Sequence, residues 1–130
     1  MYHSEEQYNA ISYTNTFGTI IYSDIYNPSN FAKNYIRLDL TDKKTINLFS
    51  YQVHAILGSR VFTYDGYGVN FPNEKNELEA AEALNNLLMP GGIMATQSAG
   101  YSRFEGIFIK NFGYQVVKYD LWVMIIQKPF

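Results

Sequence analysis

No cysteine occurs among the 130 residues, which removes disulfides, thiolate metal sites and cysteine nucleophiles at once. Nothing then argues for secretion, and a reducing, cytoplasmic setting is expected. Clustered positive charge is also missing. Ten Lys and Arg stand against twelve Asp and Glu, a formal charge of −2, with no basic run, so phosphate neutralisation has no footprint and nucleic-acid binding is not expected. The longest apolar stretch, Leu121 to Ile126, is far too short to span a bilayer. The opening Met1-Tyr2-His3-Ser4-Glu5-Glu6 is polar and acidic, unlike a signal sequence, so no membrane association is expected. The two histidines, His3 and His54, have no Cys or Asp partner at ligand spacing, and no metal site is expected. His54 reads as a structural or partly exposed strand residue.

What is present is a substantial apolar fraction, 47% of the residues, enough for one domain with a real core and too little chain for two. The expectation is a single domain over residues 1–130. Twelve Tyr and nine Phe exceed what a domain of this size can bury. Half-exposed aromatics favour a protein-partner surface or a self-association face, hence a homodimer, although a compositional bias toward Tyr and Asn would give the same counts.

The pattern along the chain alternates strand and helix. Thr19 to Tyr22 is β-branched and aromatic and leads to Asp24 before a turn at Asn27-Pro28-Ser29-Asn30. Tyr35 to Leu38 reads as a second strand ending at Asp39. Lys43 to Phe49 can form two helical turns capped by Thr41 or Asp42, with Ile46 and Phe49 inward. Gln52 to Leu57 is a third strand, followed by Gly58-Ser59 and a glycine-broken loop, Tyr64 to Pro72. The strongest helix spans about Asn73 to Met89. Ala80, Ala83, Leu84, Leu87 and Leu88 form its apolar stripe, Glu74, Glu77, Glu79 and Glu82 favour its N-terminal half, and Pro90-Gly91-Gly92 stops it. Ile93 to Thr96 is a fourth strand. Ser102-Arg103-Phe104-Glu105 matches a capping box for a helix that presents Phe104, Ile107, Phe108 and Phe112 and closes at Gly113. Tyr114 to Tyr119 and Leu121 to Gln127, joined through Asp120 alone, must be antiparallel. Trp122 and Met124 read as core.

A capped helix, then Leu87-Leu88-Met89-Pro90-Gly91-Gly92-Ile93-Met94-Ala95, a further helix and an antiparallel pair ending Gln127-Lys128-Pro129 resembles the second half of class I S-adenosylmethionine-dependent methyltransferases. The proline and paired glycines end a helix abruptly and turn the chain into a buried strand. The resemblance covers roughly residues 19–130. It implies a Rossmann-like α/β sandwich: a mostly parallel sheet with a C-terminal antiparallel hairpin. It also implies S-adenosylmethionine as cofactor. Tyr22-Ser23-Asp24-Ile25 is similar to the family's second strand, whose terminal acid accepts from ribose hydroxyls. Arg37-Leu38-Asp39-Leu40 is similar to the third, whose acid and following residue flank adenine. Val53 to Ser59 is similar to the fourth, placing Gly58 and Ser59 beside the methionine part. The acceptor site beyond that strand implies substrate roles for Tyr64, Asp65, Tyr67 and Asn70.

The family's first β-α unit and Gly-x-Gly-x-Gly turn have no counterpart, because residues 1–17 contain no glycine and close backbone approach to the cofactor requires it. Three arrangements stay open: a degenerate domain, Tyr8 to Tyr13 filling the vacant sheet position, or a second chain filling it. Two functions follow, a methyltransferase-like protein or a catalytically inactive binding and assembly module that self-associates or binds a protein partner. Asp24 and Asp39 read equally as ordinary strand-end residues that cap backbone amides. Ser59 and Ser98 lack the histidine and acid of a nucleophilic triad.

Overall fold

The computed structural model describes residues 22–24, 35–49, 52–59, 70–97, 103–120 and 123–130. The chain divides into two compact units, residues 1–39 and 40–130. In the first, β1 (Tyr22–Asp24) and β2 (Tyr35–Arg37) pair in parallel, with Tyr22 opposite Tyr35 and Asp24 opposite Arg37.

Among the described residues, the second unit holds three helices and four strands. Helix α1 (Lys43–Asn47) opens on Asp42, whose side chain accepts from the Lys44 amide at 3.1 Å, and buries Ile46. After β3 (Val53–Ser59) comes α2 (Glu74–Leu87), capped by Asn73 accepting from the Asn76 amide at 2.8 Å, with Glu74 and Glu77 in the first turn where the helix dipole favours acids. Its buried stripe is Ala80, Ala81, Ala83 and Leu84. The helix ends two residues earlier than its sequence suggests, because Met89 precedes proline and is barred from the helical region. Leu88 is already extended, with φ −81° and ψ 132°.

Strand β4 (Leu88–Gln97) therefore begins directly at the helix end, and Pro90-Gly91-Gly92 forms a kink inside it rather than a separate turn. The β3 register jumps there: Val53 faces Leu88, yet Ala55 faces Ile93. Gly91 adopts φ +75° with the Phe130 ring packed where its Cβ would be, and a Cβ on Gly92 would lie 2.8 Å from the Met89 carbonyl oxygen. Helix α3 (Arg103–Phe112) ends at Gly113, φ +73°. Its buried Phe104 stacks on Phe71 at 5.4 Å and meets Phe108 edge-on at 5.3 Å, and Phe108 meets Tyr114 at 5.2 Å.

Strands β5 (Gln115–Tyr119) and β6 (Val123–Gln127) form the expected antiparallel hairpin. Asp120 shapes its turn, with Oδ1 accepting from the Val123 amide at 2.9 Å. The sheet order is β3-β4-β6-β5, with β3 and β4 parallel and β6 inserted antiparallel beside β4. Met94, Thr96, Met124 and Ile126 are its buried face. The expectation that Ile93 to Thr96 is an inner strand of this sheet holds.

The segment after β6 folds back onto the α2–β4 junction. Lys128 Nζ donates to the carbonyls of Asn85 (2.6 Å) and Leu88 (2.8 Å), and Gln127 Nε2 donates to the Gly91 carbonyl at 2.9 Å. The Lys128 amide bonds Gly92 and the Gly91 amide bonds Pro129. Helix carbonyls left without an intrahelical partner are thus satisfied by an ammonium group, the charge a helix C-terminus favours.

Candidate functional site

Parallel strands bring their C-terminal ends to one rim, the place where open α/β sheets hold ligands. In residues 40–130 that rim is built by β3 and β4: Gly58 is in register with Thr96, and Ser59 with Gln97. Gly58 is buried. The two residues expected to follow the third strand are its last two members, because pairing with β4 continues through Ser59.

In residues 1–39, Asp24 is the last residue of β1, and Asp39 follows β2 by two positions. Because β1 and β2 are parallel, both acids lie at the C-terminal end of that pair. Asp39 is half-buried, and Leu40, the first residue of the second unit, is buried. Asn70 is exposed, just before Phe71, which stacks on Phe104. Ile25, Tyr64, Asp65 and Tyr67 lie outside the described residues. His54 is exposed on β3.

Three polar groups escaped the sequence reading. Glu77 is buried, and its carboxylate takes the Arg103 Nε at 3.1 Å while Glu74 takes the Arg103 guanidinium at 3.0 Å. Arg103 thereby ties the start of α3 to the first turn of α2. Glu105 is buried on α3. The hydroxyl of Thr96 is buried and meets no hydrogen-bond partner among the described residues. The one signal available was the i, i+3 spacing of Glu74 and Glu77, which puts both acids on a single helix face. A cleft of about 280 Å³ lined by Ile46, Asn47, Phe49, Gln52, Ala83, Asn86 and Leu87 opens at the opposite end of the strands, since Gln52 precedes β3. Among the described residues no three His, Asp or Glu side chains gather as a metal would need, and no helix is long and apolar enough to cross a membrane.

No protein-family model matches the chain, and no curated protein does. Solved structures do. The N-methyltransferase NodS from Bradyrhizobium japonicum WM9, in complex with S-adenosyl-L-homocysteine, superposes with a TM-score of 0.55 at 12% identity, over 83% of this chain and 65% of its own. A second structure of NodS aligns over 62% of its length, so the chain spans a little under two thirds of that protein. A Streptococcus mutans protein classed as a methyltransferase, also with S-adenosyl-L-homocysteine, gives 0.55 at 14% identity over 96% of this chain and 82% of its own. A Clostridium thermocellum protein classed as an rRNA methylase gives 0.53 at 14% identity over 92% and 82%. At such identities the common property is the fold, and this chain has the Rossmann-like α/β fold of the class I S-adenosylmethionine-dependent methyltransferases.

Proposed function

We propose that the chain is a methyltransferase-like protein that binds S-adenosylmethionine at the C-terminal ends of its parallel strands. The observation that supports this best is the rim of β3 and β4, where a buried glycine stands one residue before the end of a parallel strand within a methyltransferase fold. A glycine there fits the cofactor, because absence of a Cβ lets a ligand lie against backbone. When bound, the cofactor supplies a methyl group on a positively charged sulfur. In this reading the family resemblance assigns Asp24 and the following Ile25 to the ribose, Asp39 and Leu40 to the adenine, and Gly58 and Ser59 to the methionine part, as the residues that would hold the cofactor. Tyr64, Asp65, Tyr67 and Asn70 orient the acceptor. Alignment of an acceptor nucleophile is the main chemical demand, so no dedicated acid or base is required of the chain. The protein would work in the cytoplasm.

Calorimetric titration with S-adenosylhomocysteine tests the reading. Saturable binding that Asp24→Ala weakens supports it; no heat at millimolar ligand overturns it.

A second reading, an inactive assembly module, is favoured by β5. All five of its residues are exposed, with Val116 at 49%, Val117 at 58% and Tyr119 at 52%. An outer strand with apolar side chains open on both faces can add a strand from a second copy or a protein partner. Light scattering that finds a homodimer, broken by Val117→Lys, supports this reading, and a monomer at high concentration removes the homodimer.

A further inference from the structure

We infer that Thr96 is a ligand-contacting residue, whose hydroxyl donates a hydrogen bond to the carboxylate at the amino-acid end of the bound cofactor. The inference rests on the methyltransferase reading above and adds a residue that no sequence pattern marks. Thr96 lies next to the last residue of β4 and is 2% exposed, and its Oγ1 finds no hydrogen-bond partner among the described residues. Burying a hydroxyl without a partner costs free energy that a valine of the same shape would not. Valine is also at least as good a strand residue. Neither packing nor propensity accounts for threonine here.

The neighbours on its face of the sheet sharpen the point. Directly paired residues point to the same side, and those beside Thr96 are Gly58 on β3 and Met124 on β6. Gly58 has no side chain, and the thioether of Met124 is a weak acceptor. The sheet offers the hydroxyl nothing strong on either flank, and the flank without a side chain lies one residue before the end of β3, where the methyltransferase reading puts the cofactor's methionine part. A carboxylate is the matching partner, because it only accepts and because a bond to an ionised acceptor recovers most when made away from water. Asn76 Oδ1 is also buried without a partner, but Asn76 is held by its amide to Asn73 and by Nδ2 to the Thr41 carbonyl at 2.7 Å, which gives it a structural task.

The test is calorimetry on the wild-type chain, Thr96→Val and Thr96→Ser with two ligands: S-adenosylhomocysteine, and 5′-methylthioadenosine, which lacks the amino-acid end. Thr96→Val should weaken S-adenosylhomocysteine binding about tenfold or more, leave methylthioadenosine binding unchanged and keep or raise the thermal midpoint. Thr96→Ser should restore the affinity. Equal S-adenosylhomocysteine affinity in wild type and Thr96→Val overturns the inference while leaving the methyltransferase reading intact. An equal loss for both ligands, or a Thr96→Val chain that does not fold, overturns it too, since the hydroxyl would then serve the fold. A wild-type chain that takes up neither ligand ends both.

Discussion

Lys128 and Asn85 are joined by a 2.6 Å hydrogen bond from an ammonium to a helix carbonyl across 43 residues of sequence. The same ammonium reaches the Leu88 carbonyl, so one side chain closes the C-terminal end of α2 and fixes the start of β4. Lys128→Met keeps the aliphatic stem and removes both bonds, leaving part-buried carbonyls without their donor. It should cost about 1–3 kcal/mol, read as a lower urea midpoint with unchanged slope.

Tyr114 gives the fold a pH dependence. Its hydroxyl donates to Asn85 Oδ1 at 2.9 Å, and burial raises its pKa well above the ordinary 10. A folded-state pKa above the unfolded value means that the folded chain holds the proton more tightly. The contribution is complete below pH 10 and is lost as pH climbs toward the folded value. Burial acts oppositely on Lys128, lowering its pKa. That group favours the folded state more as pH rises toward its ordinary value, and it partly offsets Tyr114. Stability of wild type should fall above pH 10, and Tyr114→Phe should show a shallower alkaline fall in thermal midpoint.

Gly91 combines φ +75° with an exposed Phe130 ring whose edge lies where a Cβ would project. Gly91→Ala should destabilise by about 1–2 kcal/mol, the cost of a left-handed backbone for a residue with a Cβ, and should displace Phe130. Phe130→Ala combined with Gly91→Ala removes the steric part alone. A residual loss in the double variant measures the backbone part.

Arg103 holds two acids of very different exposure. The Glu77 side chain is 7% exposed and that of Glu74 is 87%. Glu74→Ala should therefore change stability by no more than about 0.5 kcal/mol. Arg103→Met, which takes a partner from a buried carboxylate, should cost about 1–3 kcal/mol. Thermal unfolding of the two variants at low and high salt separates them, since only the small exposed contribution is screened.

Much of the fold was legible because its signals are local. The Asp42 cap, the alanine-leucine stripe of α2, the Gly113 terminus and the antiparallel pairing of the last two strands each declare themselves within a few positions, and the structure places elements where they indicate. Departures occur where a distant partner decides. Nothing near Lys128 announces that it caps a helix forty residues earlier, and nothing near Glu77 announces Arg103. Pro90-Gly91-Gly92 reads as a stop for the helix, yet pairing with β3 draws it into the strand. Of the candidate site, strand ends were readable at Asp24, Asp39, Gly58 and Ser59, because a β-branched run followed by a small or acidic residue marks one. Thr96 was not, since a threonine near a strand end is ordinary until its unmet hydrogen bond is seen.

The ties from Gln127, Lys128 and Pro129 to Gly91, Gly92 and the end of α2 also order events in time. During synthesis α2 and its following kink emerge well before the residues that complete them, and pairing of β6 with β4 carries those residues back. The nascent α2 should thus fray at its tail until late, and a stalled chain ending before residue 127 should expose those carbonyls to proteases and to chaperones.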